Sequence, residues 1–283
     1  MTDRNKNLLL RVGSGLVLFP LLVWATWAGG LPFAAVCGVA AGISALELTL
    51  MFTRVGVPEA FGVAVAALLP LAPLLASRDA AHLYPPFVPM ALAFAVMALL
   101  VLNVFRPGPL DGTARCVAAS VLGWLYCGVL IAMISGLRLR FGFAWAMLAF
   151  VVTWLNDTLA YFAGRFLGRT PFHPRISPKK TWEGFAGGLA GSLLGAAGSK
   201  LVFGVTPLPH GEAFTLSWGA CIAIGLGAGV LGPLGDLAES MLKRSAGVKD
   251  SGNLIPGHGG LLDRIDALLF VGSWVYLWAA LVG

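Results

Sequence analysis

Charged side chains are scarce in this chain. Asp, Glu, Lys and Arg make up 11% of its 283 residues, against 58% hydrophobic residues and a mean hydropathy of +0.85. A water-soluble domain carries roughly a quarter of its residues as charges, so this composition excludes a soluble globule. Cysteine is scarce too. Cys37, Cys116, Cys127 and Cys221 each stand alone in an apolar run without CxxC or His–Cys spacing, which argues for packing rather than a disulfide framework or a zinc site. The strand-like alternation that a transmembrane barrel needs is missing. So is a GxxxxGK[ST] phosphate loop, and Gly227-x-Gly229-x-x-Gly232 lies inside an apolar run with no strand before it, so neither nucleotide fingerprint applies.

What is present is a series of apolar runs of about 20 residues, the length at which a helix rising about 1.5 Å per residue crosses a hydrocarbon core about 30 Å thick. The fold class expected is an all-α, polytopic integral membrane bundle of about nine transmembrane helices. They are placed near 12–29, 31–52, 60–76, 86–104, 114–136, 141–164, 183–204, 216–236 and 265–282. Pro70, Pro73 and Pro89 interrupt the third and fourth, and Gly29-Gly30 leaves only a tight turn between the first two. The basic head Met1–Arg11 and the apolar Val12–Trp27 outline a secretory signal, but the long apolar stretch and the lack of a small-x-small cleavage site favour a first membrane helix. Gly187, Gly191 and Gly195 recur at four-residue spacing and predict a helix face that another backbone approaches closely.

Lys and Arg are distributed unevenly across these spans. Arg78, Arg138, Arg140 and Lys200 fall on one side, and all the others fall on the side of the N-terminus. The positive-inside rule then places the N-terminus in the cytoplasm and the C-terminus opposite. The net charge of +6 is thereby a matter of topology, not of nucleic-acid binding. The same count puts the two most polar loops, 165–182 and 237–264, on the cytoplasmic side, where they can build one site. Residues 1–140 read as an N-terminal membrane scaffold and 141–283 as a C-terminal catalytic membrane domain.

Ionisable groups concentrate where the apolar runs are broken, and such groups beside hydrocarbon mark function by default. Between Ser240 and Asp266 stand Lys243, Arg244, Lys249, Asp250, His258, Asp263, Arg264 and Asp266. If the eighth helix continues through this stretch, Asp236, Glu239, Ser240 and Lys243 share one face. The glycines of the following loop, Gly259 and Gly260 among them, let backbone N–H groups turn toward an anion, and Lys243, Arg244 and Lys249 add charge, so a phosphate cradle is the natural inference. Asp263 and Asp266, at i and i+3, join Asp236 as oxygen ligands suited to Mg²⁺. Upstream, Asp157 lies inside the sixth helix, and Ser177, Lys179, Lys180 and Thr181 offer hydroxyls and point charges for phosphate. In the chemically quiet first half Glu47 stands out, either as a proton relay or as a hydrogen-bonding carboxylate between helices.

Taken together these residues resemble the signature of the phosphatidate cytidylyltransferases, or CDP-diacylglycerol synthases. The resemblance is carried by Ser240-x-x-Lys243-Arg244, Lys249-Asp250 and His258-Gly259-Gly260-x-x-Asp263-Arg264-x-Asp266. Upstream, Asp157-Thr158, Tyr161, Gly164-Arg165, Ile176 through Thr181 and Glu183-Gly184 add to it. It covers roughly residues 153–266. It implies a nucleotidyltransferase of phospholipid biosynthesis that converts CTP and phosphatidic acid to CDP-diacylglycerol and pyrophosphate. It further implies dependence on Mg²⁺, with Mn²⁺ as a substitute and a second cation as an option, and a homodimer in the membrane; the compactness of the chain points to a bacterial cytoplasmic membrane. In that scheme Asp236 and Asp263 are the principal metal ligands and Asp266 a nearby ligand or orienter. Ser240, Lys243, Arg244 and Lys249 hold CTP phosphates, Asp250, His258, Gly259 and Gly260 shape the loop, and Ser177, Lys179, Lys180, Thr181 and Arg264 meet the lipid phosphate or the triphosphate. Asp157 completes the polar cavity. Two further readings use the same residues: a related membrane enzyme that cytidylylates an ether lipid or phosphorylates a polyprenol with CTP, and a cation-coupled transporter with Glu47, Asp157 and Asp236 along its path. No internal repeat of the transporter kind is evident.

Overall fold

The structure, a computed structural model, describes residues 3–75, 84–107, 110–253 and 259–282, with the side chains of 3–15, 75 and 84–88 outside the description. Among the described residues the regular structure is helical apart from one small hairpin, and seven helical stretches are long and apolar enough to span a membrane. These are Gly30–Phe52, Val57–Leu74, Thr113–Phe141, Phe143–Leu167, Trp182–Phe203, Trp218–Ser245 and Leu262–Val282. The first and fourth of the nine expected spans correspond to shorter apolar helical stretches among the described residues, Leu16–Ala28 and Pro89–Val104. The protein is an all-α polytopic membrane protein.

The chain forms two compact units: Met1–Ser135 with Asp250–Leu262, and Gly136–Lys249 with Asp263–Gly283. In the first, α1 (Asp3–Ala28) passes into α2 (Gly30–Phe52) across Gly29 and Gly30, whose φ values of 64° and 50° give the tight turn expected of that pair. α3 (Val57–Leu68) continues through a 3₁₀ turn at Leu69–Leu71 into α4 (Ala72–Leu75), so Pro70 interrupts the helix where expected. α5 (Tyr84–Val104), by contrast, runs on across Pro89. α6 (Thr113–Leu122) leads through a π-helical stretch, Gly123–Val129, into α7 (Leu130–Gly136). There Trp124 is buried and donates to the Gly62 carbonyl at 2.7 Å, which ties the stretch to α3. All four cysteines are buried and free.

The second unit is built on α8 (Phe143–Leu167), α9 (Trp182–Phe203), α10 (Trp218–Ser245) and α11 (Leu262–Val282), the last from Asp263 onward. α8 and α9 pack backbone to backbone: a Cβ on Gly191 would lie 2.3 Å from the Leu155 carbonyl oxygen, and one on Gly195 would lie 3.1 Å from the Val152 Cα. The glycine face read from the sequence therefore meets α8. Asn156 donates to Ser192 at 2.9 Å across the same seam. Leu148, Val152, Ile224, Val271 and Val275 fill the core beside it.

α10 is longer than its apolar run suggested, reaching Ser245. Its 28 residues extend about 40 Å, beyond a hydrocarbon core of about 30 Å, so its polar last turns stand clear of the apolar slab. The helix closes in a Schellman arrangement, with Gly247 at φ 72° and the Val248 N–H bonded to the Lys243 carbonyl. The connection between α8 and α9, expected as a loop, contains an antiparallel hairpin of β1 (Pro171–His173) and β2 (Ser177–Thr181), pairing Pro171 with Thr181 and His173 with Ser177. Its strands are too short to leave a periodic signature. Glu183, in the first turn of α9, fixes its base by accepting from the Arg169 and Thr170 backbone N–H groups.

Candidate active site

Four elements of the second unit, α8, the hairpin, α9 and α10, surround a cavity of about 430 Å³ lined in part by Asp157, Tyr161, Arg165, Lys179, Lys180, Thr181 and Asp236. Each reaches it for a local reason. Asp157 lies on α8 one residue beyond Asn156, which is buried against α9. Lys180 sits on β2, and its ammonium bridges the Asp236 carboxylate at 2.7 Å and the Pro233 carbonyl at 3.3 Å. Thr181 caps α9 by accepting from the Gly184 N–H. Phe172 and Phe185 add apolar wall, their rings stacked at 5.3 Å. A cavity with apolar sides and a few convergent charges is the usual form of a small-ligand site.

The face of α10 below Asp236 carries the helical spacing through. Ser240 donates to Asp236 at 3.3 Å, and Lys243 pairs with Glu239 one turn before it and, at 2.5 Å, with Asp263 at the start of α11. Glu239 is fully buried and Lys243 nearly so. Asp266, one turn along α11 from Asp263, lies within electrostatic reach of both Asp236 and Asp157. The charges of Asp157, Asp236 and Asp266 thus act on one another, while Glu239, Lys243 and Asp263 are joined by ion pairs.

The remaining expected residues divide between the units. In the second, Ser177 lies on β2 and Lys249 and Arg264 are exposed, while Arg244 donates to the Val248 carbonyl at 3.0 Å. In the first, Asp250 is exposed and Gly259 and Gly260 belong to the segment that precedes α11. His258 lies outside the described residues. Glu239, which the sequence places on the same helix face as Lys243, forms with it the ion pair that their four-residue spacing allows. Glu47 is buried in α2 and accepts from Ser251, Leu261 and Leu262, so the hydrogen-bonding reading of this carboxylate holds.

Carboxylate oxygens are the hard donors that Mg²⁺ selects, and Asp236 is 41% exposed, so its oxygens are accessible from the cavity. No group of three or more acidic, His or Cys side chains forms a ready metal cage among the described residues.

A search of protein-family models matches residues 9–282 to the cytidylyltransferase family. Among curated relatives, proteins named phosphatidate cytidylyltransferase from Brucella abortus (strain 9-941) and Bacillus subtilis (strain 168) are each 34% identical to the chain. The first alignment covers 97% of the chain and 94% of the relative, the second 99% of both. A protein of the same name from Synechocystis is 37% identical, covering 79% of the chain and 82% of its own length. With the match running from the first helix to the last, the chain belongs to the cytidylyltransferase family.

Proposed function

We propose that the protein is a phosphatidate cytidylyltransferase, making CDP-diacylglycerol and pyrophosphate from CTP and phosphatidic acid. The observation that carries this reading is the end-to-end relationship to proteins of that name, together with a cavity whose charged walls suit phosphate. A phosphate oxygen of the lipid attacks the α-phosphorus of CTP, and the bond from that phosphorus to the bridging oxygen breaks as pyrophosphate leaves. The nucleophile is already anionic, so the chain has no strong base to supply. Its task is to bring two polyanions together and to stabilise charge on the leaving group.

Lys179 and Lys180 on the hairpin and Arg264 on α11 meet the lipid phosphate or the triphosphate. Lys180, paired with Asp236 in the structure, exchanges that carboxylate for a phosphate oxygen when substrate arrives. Arg244, Lys249 and the backbone at Gly259–Gly260 hold CTP phosphates, with Ser240, Lys243 and Asp250 shaping that region. Asp236 and Asp263 would hold Mg²⁺, with Asp266 beside them and Asp157 completing the polar wall. A divalent cation bound there neutralises charge on the transferring and leaving phosphates. The reading extends to a homodimer in a bacterial cytoplasmic membrane, with the N-terminus and the polar loops in the cytoplasm and the C-terminus opposite.

The experiment is pyrophosphate release by purified protein in detergent with CTP, Mg²⁺ and either phosphatidic acid or diacylglycerol. Release that requires both CTP and phosphatidic acid is expected. CDP formed from an alcohol acceptor would instead identify a lipid kinase, and absence of turnover with every lipid phosphate, in folded protein, would overturn the reading.

A further inference from the structure

Glu47 is a carboxylate in a membrane helix, buried to 6% exposure, yet the ion pairs among the described residues involve Glu59, Glu212, Asp236, Glu239 and Asp263, not Glu47. Burying a carboxylate without a cation is costly unless several donors meet it. Here three do, and all come from one segment of the first unit. The Ser251 hydroxyl donates to Oε2 at 3.1 Å, the Leu261 N–H to Oε1 at 2.9 Å and the Leu262 N–H to Oε2 at 2.9 Å. The last two are at the very start of α11, where a helix leaves N–H groups unsatisfied and favours negative charge. Glu47 therefore satisfies the N–H groups of Leu261 and Leu262 from α2 and, with its other contact, grips Ser251 at the opposite end of the same segment.

The segment is shaped to admit this carboxylate. A Cβ on Gly252 would lie 2.7 Å from Glu47 Oε1, and one on Gly260 would lie 2.7 Å from Oε2 and 1.9 Å from the Ser251 hydroxyl. Neither glycine has a positive φ, so close approach rather than turn geometry is what requires them. From this arrangement we infer that Glu47 is a positioning residue. It gathers the two described arms of the signature loop, 251–253 and 259–262, onto one point, and so sets the backbone at Gly259–Gly260 that CTP phosphates use. The inference rests on the cytidylyltransferase reading for its substrate, but its geometry lies entirely within the first unit.

Glu47→Gln tests it with little change of shape. One carboxylate oxygen becomes an NH₂ that faces N–H or O–H donors, so at least one of the three bonds is lost. Gly252→Ala disturbs the same grip without touching the charge. In protein with unchanged elution and melting midpoint, each variant is expected to raise the KM for CTP about tenfold or more, the size of one lost charge-assisted hydrogen bond. Amide exchange at Leu261 and Leu262 should accelerate by a similar factor, while exchange in α8 and α9 stays as it was. A merely structural role predicts less folded protein with a normal KM. Unchanged KM with unchanged exchange overturns the inference, as does faster exchange with unchanged KM or a failure of both variants to fold. If Glu47→Gln alone fails to fold, Gly252→Ala decides by the same readings. An inactive wild-type protein would sink the proposed function instead, and the exchange comparison would still judge whether Glu47 holds the loop.

Discussion

Two lysines with similar sequence credentials are placed differently by the structure. Lys243 lies between Glu239 and Asp263, all three largely buried, whereas Lys180 pairs with an Asp236 that is 41% exposed. Removing one member of a buried ionic cluster leaves the others charged and unpaired, while removing a half-exposed partner leaves a carboxylate that water can solvate. Lys243→Met should therefore destabilise the protein by about 3–5 kcal/mol, seen as a lower unfolding temperature and a lower yield in detergent. Lys180→Met should change stability by about 1 kcal/mol or less while cutting pyrophosphate release steeply. Equal stability of the two variants would refute the distinction. The sequence presents both as phosphate ligands, Lys243 beside the glycine-rich loop and Lys180 beside the hydroxyls of Ser177 and Thr181. The sequence could not show that the Lys243 ammonium already serves two carboxylates, because one of them, Asp263, lies across a loop and its approach depends on how α10 and α11 pack. Asp236 and Asp263 are legible as a pair for the same reason that makes them testable: both interrupt apolar runs. Asp236→Asn and Asp263→Asn should each lower turnover by about 10²-fold or more at saturating Mg²⁺, and near-normal turnover in both would remove them from the metal proposal.

At the scale of elements, the contact between α8 and α9 depends on which α9 positions lack a Cβ. Gly191→Ala would force a methyl to within 2.3 Å of the Leu155 carbonyl oxygen, where backbone must move, so a loss of about 1–3 kcal/mol is expected. Gly198, on the same helix, has nothing within 4 Å of the point where a Cβ would stand, and Gly198→Ala should be neutral or stabilising by up to about 1 kcal/mol through helix propensity alone. Melting midpoints of the two variants in one detergent decide it; equal losses would mean that the seam is not what the glycines provide. The four-residue spacing of Gly187, Gly191 and Gly195 made this face readable in advance, because apolar length and small-residue period are local properties. The hairpin between α8 and α9 was not readable. Its strands of three and five residues are fixed by Glu183, which accepts backbone N–H bonds from Arg169 and Thr170, and such a contact has no periodic trace. The end of α10 is open in the sequence for a related reason: hydropathy falls at Asp236, but helical hydrogen bonding continues to Ser245, where the polar turns pair with one another.

For the whole molecule, orientation follows from charge counted over all the connections at once, since no single loop decides it. Arg165, Arg169, Arg175, Lys179 and Lys180 crowd the connection between α8 and α9, whereas the proposed orientation assigns Arg138, Arg140 and Lys200 to the opposite side. Two of these sparser cations are engaged where they lie: Arg138 pairs with Glu212 at 2.9 Å, and Lys200 donates to the Leu216 carbonyl and sits 5.0 Å from the Trp218 ring centroid. The four native cysteines are buried, so an introduced thiol can be labelled against a low background. Arg175→Cys, in the exposed hairpin turn, should react with a membrane-impermeant maleimide in inverted vesicles and stay unlabelled in intact spheroplasts. A cysteine appended after Gly283 should show the reverse pattern. Labelling of Arg175→Cys from outside intact spheroplasts would turn the protein over in the membrane and put the phosphate-binding cavity on the side without CTP, which the proposed reaction does not survive.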